Sequence, residues 1–143
     1  MHVALRSDPL DPFQELAAFS AGLEGARSGA SSIFIGTMRD FNEGENVAAM
    51  FLEHYPGMTE KFLERIAAEA AERWPLDALY LEHRVGEIQP AEAIVVIGVW
   101  TAHRGDAFAA CRYLIEELKS RAPFWKRETR PDGPRWVAGN TPS

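Results

Sequence analysis

Two lysines seven positions apart carry the strongest indication of chemistry in this sequence. On a helical wheel, Lys119 lies at the margin of the apolar stripe of a predicted helix, where partial burial lowers the pKa of an amine and makes it usable as a base or nucleophile. Lys126 lies in a predicted strand, and the chain turns sharply at Pro123 between the two lysines. The amines can therefore converge and form an anion site. Taken singly, each has a plainer interpretation, a snorkelling side chain or an exposed strand charge.

A second group of residues is suited to holding an anion. His103 and Arg104 stand at the predicted start of the helix that carries Lys119, where free backbone N–H groups and the helix dipole favour a phosphate. Arg39 directly follows a predicted strand, and strand ends often place ligand contacts. A capping pair and a solvent-facing arginine are the plainer alternatives.

The positive charge of the chain is concentrated around the two lysines. Segment 119–136, KSRAPFWKRETRPDGPRW, holds six basic and two acidic residues, whereas the other 125 residues hold nine basic and 19 acidic ones. A segment of charge +4 in a chain of net charge −6 indicates a specific anionic partner. Aromatic residues are interleaved with these charges, which favours a small-molecule pocket that holds a flat ring.

Other kinds of chemistry have no motif here. His54 and His83 are not at metal-ligand spacing, and the single cysteine, Cys111, falls at the centre of an apolar stripe, where we expect a buried, unreactive side chain. The sequence has no glycine-rich phosphate loop, HExxH or GxSxG motif. It therefore predicts no metal and no cofactor, and favours lysine-assisted chemistry with arginine holding an anion.

Length and composition predict one domain, residues 1–143, working in the cytoplasm. The hydrophobic fraction is 46% and the charged fraction 25%, as in ordinary globular proteins. The longest apolar run, 94–100, is far shorter than the roughly 20 residues that span a bilayer. We expect no secretion signal, and a single cysteine suits a reducing compartment. A pI near 5.2 argues against binding to duplex nucleic acid.

The elements that must position these residues follow from the spacing of apolar side chains. Helical spacing predicts helices at 12–21, 58–74 and 104–121, with Phe108 on the buried side of the last one. Alternation and β-branched runs predict strands at 31–38, 47–54, 79–85, 94–101, 124–129 and 135–138. Residues 39–46 are expected to form a loop. The mixed order predicts an α+β fold, with a mixed or antiparallel sheet and two main helices.

Four segments together resemble the large, catalytic subunit of molybdopterin synthase. The segments are LEHYPGMTEK at 52–61, HRVGE at 83–87, AHR at 102–104 and KSRAPFWKRE at 119–128. The resemblance extends from about residue 33 to residue 136, and the first and last segments are highly specific in this order and spacing.

The resemblance implies a fold, partners and a reaction. Members of that family adopt an α/β hammerhead-like fold and form a homodimer, and each subunit binds one small ubiquitin-like sulfur carrier to give a heterotetramer. The carrier's C-terminal Gly-Gly tail, activated as a thiocarboxylate, donates sulfur to cyclic pyranopterin monophosphate. Two carriers are consumed for each molybdopterin dithiolene. The implied activity is that of a sulfurtransferase in molybdenum cofactor biosynthesis.

The resemblance also implies roles for individual residues. Lys119 matches the active-site lysine, an acid/base or transient nucleophile, and Lys126 matches the second catalytic lysine. The positions implied to bind the pterin precursor are Thr37, Met38, Arg39, His103, Arg104, Lys119, Lys126, Arg127 and Glu128. The carrier's tail needs an apolar channel, for which the candidates are Phe34, Pro123, Phe124 and Trp125.

Two other functions compete with this one. A non-catalytic module could hold a protein tail or single-stranded nucleic acid on the basic hairpin, and would bind many polyanions with a steep salt dependence. A small α+β thioesterase-like dimer would need a carboxylate or histidine base beside a long apolar helix, and the sequence offers no convincing arrangement of that kind.

Overall fold

A computed structural model describes residues 1–42, 44–121 and 123–137. The described residues form three helices and ten strands. The helices are α1 (Pro12–Ala21), α2 (Met58–Arg73) and α3 (Arg104–Arg121). The strands are β1 (His2–Arg6), β2 (Ala30–Thr37), β3 (Phe41–Asn42), β4 (Glu45–Asn46), β5 (Ala49–His54), β6 (Leu76–Arg84), β7 (Gly86–Ile88), β8 (Ala93–Thr101), β9 (Phe124–Arg130) and β10 (Gly133–Val137).

Two four-stranded sheets organise these elements. The first has the order β1-β6-β8-β2, with β1 parallel to β6 and the other pairs antiparallel. The second has the order β10-β9-β5-β7 and is antiparallel throughout. Strands β3 and β4 form a separate two-stranded ribbon. The predicted α+β class is confirmed, and β8 is the buried inner strand that its β-branched run predicts.

Local sequence signals explain where the helices begin and end. The Asp11 carboxylate caps α1 by accepting from the backbone N–H of Phe13 at 3.1 Å. At the start of α2, the Glu60 carboxylate accepts from the backbone N–H of Gly57 at 3.0 Å. Pro75 prevents the helix from continuing beyond Trp74.

The helices cover both faces of the first sheet. α2 and α3 pack on one face, where Ile66 and Leu114 are fully buried against Leu81. α1 packs on the other face, where Leu16 contacts the cluster that contains Trp100. Cys111 in α3 is the buried side chain that the sequence predicts, and burial raises the pKa of its thiol. None of the described helices combines the length and apolarity needed to cross a membrane.

The second sheet turns one face towards the protein and the other towards solvent. In β5, Met50 and Leu52 are buried and join a third apolar cluster with Ile88 of β7. Strand β9 continues the same alternation, with Lys126 and Glu128 on the inner face. The inner face of this sheet therefore carries charged side chains close to the apolar core.

The structure differs from the sequence-based prediction in several places. Strands β1 and β7 were not predicted, and the predicted loop at 39–46 contains the β3–β4 ribbon. Phe108, predicted to be buried, is 66% exposed, because it projects from the edge of the apolar stripe of α3 towards solvent. The predicted strand at 135–138 appears as β10, and its last residue lies outside the described part of the chain.

Candidate functional site

A cavity of about 470 Å³ opens between the two sheets, where the end of β2, the β3–β4 ribbon, β9 and the last turns of α3 meet. Its charged lining residues are Arg39, Lys119, Lys126 and Glu128. Its apolar lining residues are Phe34, Met38, Phe41, Met50, Ile94 and Val95, and the rest of the described lining is Gly36, Thr37 and Asn42. The site thus presents cations above an apolar floor, which suits an anion that carries a flat ring.

Lys119 and Lys126 converge in this cavity from two different elements. Lys119 lies in the last turns of α3, next to the buried Leu118, and Lys126 lies on β9, paired with Leu52 of β5. Their amino groups are close enough to interact as donor and acceptor. Burial, together with the charges of Lys126 and Arg39, lowers the pKa of Lys119 to about 8. The cavity therefore holds an amine that can lose its proton near neutral pH.

The environment of Lys126 is different, although the side chain is buried to a similar degree. Burial lowers the pKa of Lys126, and the charge of Arg39 acts in the same direction. The carboxylate of Glu128 opposes both effects and favours the protonated form. The two lysines are thus chemically unequal, although they share one cavity.

Arg39 follows the end of β2 and lies at the mouth of the cavity. Its guanidinium lies 5.3 Å from the centre of the Phe41 ring, which holds the side chain by a cation–π contact. Gly36 keeps the adjoining wall open, because a Cβ atom there would lie 3.0 Å from a methyl group of Val95. The side chain of Arg39 remains exposed and available to an anion.

Glu128 is a buried carboxylate in a mostly cationic site. Its Oε1 accepts from Nη2 of Arg130 at 2.6 Å and from Nε at 3.0 Å. The side-chain amide of Asn42, from the ribbon, donates to Oε2 at 3.1 Å. These contacts tie β9 to the β3–β4 ribbon and hold the carboxylate in place.

His83 lies close to the lysine pair as a neutral ring. Its Nδ1–H donates to the carbonyl oxygen of Arg84 at 2.7 Å, and its ring stacks on Phe124 with 4.2 Å between centroids. Burial lowers the pKa of His83 to about 3. The imidazole therefore adds no positive charge to the two amines. No group of described residues resembles a metal site, here or elsewhere in the described ranges.

Several residues named by the sequence lie outside this cavity. His103 and Arg104 are exposed at the first turn of α3, the opposite end of the helix from Lys119. Along the helix axis, 15 residues separate Arg104 from Lys119, a distance of about 22 Å. Arg127 points to the outer face of β9, where its guanidinium stacks over Phe51 and Trp136.

The four candidates for the tail channel lie in different parts of the structure. Phe34 lines the cavity, whereas Phe124 packs into the core beside His83. Trp125 is on the outer face of the sheet, in edge-to-face contact with Tyr55. Pro123 lines a separate depression next to α2. Of the four, the described structure therefore places only Phe34 in the wall of the cavity.

Sequence reasoning missed part of the cavity wall. Phe41 and Asn42 belong to a segment that was expected to be only a polar loop. The sole local signal was the neighbouring Arg39, since an aromatic ring two positions from an arginine can stack on it. Met50, Ile94 and Val95 were predicted strand residues without any sign that they line a cavity.

The fold and the paired amines define an α+β protein with a cavity lined by several cations. Residues 5–121 match the family model described as MoaE protein. The chain belongs to this family. It is 52% identical over 139 residues, 97% of this chain and 91% of the relative, to a molybdopterin synthase catalytic subunit of Pseudomonas aeruginosa.

Solved structures support the same relationship. The molybdopterin biosynthesis MoaE protein from Burkholderia ambifaria is 46% identical, with a TM-score of 0.78 over 99% of this chain and 92% of the other. The molybdopterin synthase from Staphylococcus aureus is 31% identical, with a TM-score of 0.82 over 94% of this chain and 95% of the other. Both likenesses extend across the elements that form the cavity.

Proposed function

We propose that this chain is the catalytic subunit of a molybdopterin synthase and acts as a sulfurtransferase. In this proposal, sulfur passes from the C-terminal thiocarboxylate of a small ubiquitin-like carrier to cyclic pyranopterin monophosphate. Two such transfers build the dithiolene of molybdopterin, in the cytoplasm and without a further cofactor. The observation that carries the proposal is the convergence of Lys119, Lys126 and Arg39 in one cavity of an established MoaE fold.

The charges of the cavity suit the two reactants. A thiocarboxylate and a cyclic phosphate are both anions, and they repel each other unless cations separate them in a poorly solvated site. Arg39 at the mouth and Lys126 in the wall supply fixed positive charge. The apolar floor formed by Phe34, Met38 and Val95 can accept the flat pterin ring.

Lys119 is suited to the proton transfers of the reaction. With a pKa of about 8, on the order of a tenth of the side chain is the free amine at pH 7. A free amine can accept a proton as a thiolate forms, or attack the carrier's acyl group as a transient nucleophile. Its ammonium form can return the proton when the precursor's ring opens.

His103 and Arg104 fit the proposal only if two subunits share each site. The length of α3 keeps them too far from Lys119 for one small substrate to bridge the two ends of the helix. In a homodimer, the first turn of α3 of one subunit would contribute these cations to the cavity of its neighbour. The free N–H groups at the helix start would then face the phosphate.

The direct test is reconstitution from purified components. The chain, a thiocarboxylated carrier and the pterin precursor are mixed, and mass spectrometry follows the gain of two sulfur atoms by the precursor. We expect product with the wild type and at least about a hundredfold less with Lys119→Ala, while the dimer stays folded. Arg39→Ala should mainly raise KM for the precursor.

One control and two rejecting outcomes make the reconstitution decisive. A carrier that ends in an ordinary carboxylate must yield no product, since it has no sulfur to give. Wild-type protein that forms no product with the thiocarboxylated carrier, or Lys119→Ala with wild-type turnover, would reject the proposed activity or the proposed role of the lysine.

A further inference from the structure

The cavity contains one acidic side chain beside its cations. Among its described lining residues, Arg39, Lys119 and Lys126 are cationic and Glu128 alone is anionic. A buried carboxylate repels a phosphate or a thiocarboxylate at short range. Both oxygens of Glu128 already accept hydrogen bonds from protein groups. The carboxylate is thus engaged by protein donors, and its charge acts on a cation of the same cavity.

The position of Glu128 on β9 relates it to one of the two lysines. Lys126, Glu128 and Arg130 are alternate residues on the inner face of the strand and bear the charges +, − and +. The Cα atoms of Lys126 and Arg130 thus lie on either side of that of Glu128, each about 7 Å away along the strand. On β5, Leu52 pairs with Lys126 and Met50 pairs with Glu128. Both partners are apolar, so this strand adds no charge beside the lysine and the carboxylate.

Arg130 holds the Glu128 carboxylate by two hydrogen bonds to Oε1. Arg130 is almost fully buried and is the next inner-face residue of β9 beyond Glu128, on the opposite side along the strand from Lys126. It also approaches the carboxylate of Glu45 from the ribbon, at 3.8 Å. Asn42 donates to Glu128 from the same ribbon. The carboxylate is therefore held in one place, with Lys126 as its neighbour on the cavity side.

Among the described residues, no carboxylate acts on Lys119 in the way that Glu128 acts on Lys126. The charged groups that act on it are Lys126 and Arg39, and both disfavour its protonated form. On α3 itself, Glu117 pairs with Arg121 at 2.7 Å. Of the described lining residues, those from the neighbouring strand β8 are the apolar Ile94 and Val95. Nearby on β6, His83 stays neutral.

We propose that Glu128 is a positioning residue that makes Lys119, and not Lys126, the amine of the pair that gives up its proton first. An amine can accept a hydrogen bond from an ammonium group, whereas two ammonium groups can only repel each other. The pair is therefore most stable, once one proton has left, with the remaining ammonium beside the carboxylate. Lys126 then serves as the fixed cation and Lys119 as the base or nucleophile. These catalytic roles rest on the proposed function.

The order of proton loss can be measured without any substrate. The chain contains only three lysines, Lys61, Lys119 and Lys126, so labelling lysine with ¹³C at Cε yields three NMR signals. Lys61→Arg and Lys126→Met assign them, and the exposed Lys61 serves as an internal reference. In the wild type we expect the Lys119 signal to titrate near pH 8, before that of Lys126. Loss of the Lys126 proton first would overturn the proposal.

Glu128→Gln tests the cause of this order, because it removes the charge and keeps the shape. We expect the Lys126 midpoint to move down towards that of Lys119, or below it. The matched control is Glu53→Gln, which removes the same charge from the outer face of β5 and should leave both midpoints in place. Unchanged midpoints in Glu128→Gln would show that the carboxylate does not set the order. If Glu128→Gln is poorly folded, Glu128→Asp is the second variant, and we expect it to narrow the gap between the two midpoints. An unchanged gap in Glu128→Asp would also contradict the proposal.

Turnover separates positioning from substrate binding. In the reconstituted reaction, Glu128→Gln should lower kcat about tenfold and shift the pH profile, without raising KM for the anionic precursor. A raised KM with an unchanged kcat and pH profile would instead assign Glu128 to binding. If the lysines titrate in the expected order but the wild-type protein forms no product, the proposed sulfurtransferase activity is rejected and the order of proton loss still holds. If the wild-type protein forms product but Lys126 loses its proton before Lys119, the role of Glu128 is rejected and the sulfurtransferase activity still holds.

Discussion

Lys119 is a side chain whose surroundings disfavour its charged form. Its position at the end of the apolar stripe of α3 buries most of the stem, while the amine reaches a cavity that already contains Lys126 and Arg39. Burial and like charge both disfavour the ammonium form, so the protein keeps this group at a cost in stability. Such a cost is typical of residues whose proton must move at neutral pH.

Replacement of Lys119 by methionine should therefore stabilise the protein at pH 7 while abolishing turnover. The folded-state pKa of Lys119, about 8, lies below the ordinary value of 10.5. The destabilisation is therefore fully present below pH 8 and disappears as the pH rises to 10.5. Thermal unfolding should show a higher Tm for Lys119→Met at pH 7 and a smaller difference at pH 10. A lower Tm at both pH values would contradict the burial argument.

At the scale of elements, β8 and α3 carry most of the positioning. β8 is an inner strand of the first sheet, and its N-terminal end contributes Ile94 and Val95 to the cavity floor. α3 packs on that sheet and delivers Lys119 at its last turns. The ribbon and β9 complete the wall through the contact between Asn42 and Glu128. The site thus depends on how tightly β8 packs with its neighbours.

Gly98 is a sensitive point of this packing. A Cβ atom there would lie 2.8 and 2.9 Å from ring atoms of Trp100 and 3.1 Å from Ile33. We expect Gly98→Ala to lower the free energy of unfolding by about 1–3 kcal/mol, because the indole must move within a packed cluster. Urea unfolding followed by circular dichroism measures the difference.

Gly105→Ala is the matched control for this prediction. Gly105 lies in the first turn of α3, where an added Cβ would meet no atom within 4 Å. The same change there should be neutral or stabilise by up to about 1 kcal/mol, because alanine favours the helix. Equal destabilisation at the two positions would show that the contacts of Gly98 are not the cause.

At the scale of the whole molecule, the placement of cations at both ends of α3 points to shared sites. Phe108, one turn after Arg104, is 66% exposed, so an apolar surface adjoins the charged helix start. A second copy that covers this surface would bring His103 and Arg104 to its own cavity in the proposed homodimer. The protein would then be complete only as an assembly.

Mixed dimers of two defective subunits test this arrangement. Lys119→Met damages a subunit's own cavity, and Arg104→Ala damages the cavity of its partner. A mixed dimer then keeps one intact site, so random exchange of the two variants should restore about a quarter of wild-type turnover. If Arg104 serves its own chain, both sites of the mixed dimer are defective and mixing restores nothing. Dimers tagged differently on each chain allow the mixed species to be purified and assayed alone.

Much of the molecule was determined by the sequence itself. The spacing of apolar residues predicted the three helices and the main strands, because burial of one face imposes the period of each element. The turn at Pro123 and the edge position of Lys119 predicted that two amines would converge, and the structure brings both into one cavity. Alternation along β9 places Lys126 and Glu128 on the same face. The motifs around them indicated the family that the comparisons show.

Other features were decided only by the tertiary structure. Strand β1 is a short segment held against β6 by backbone pairing with residues almost eighty positions away, so no local pattern distinguishes it. Phe41 and Asn42 line the cavity because the ribbon folds over β9, a contact between segments remote in sequence. The approach of Lys119 to Lys126 arises in the same way, since α3 and β9 bring the two side chains into one cavity. Periodicity determines which face a residue occupies, whereas only the packing of distant segments decides which charges meet there.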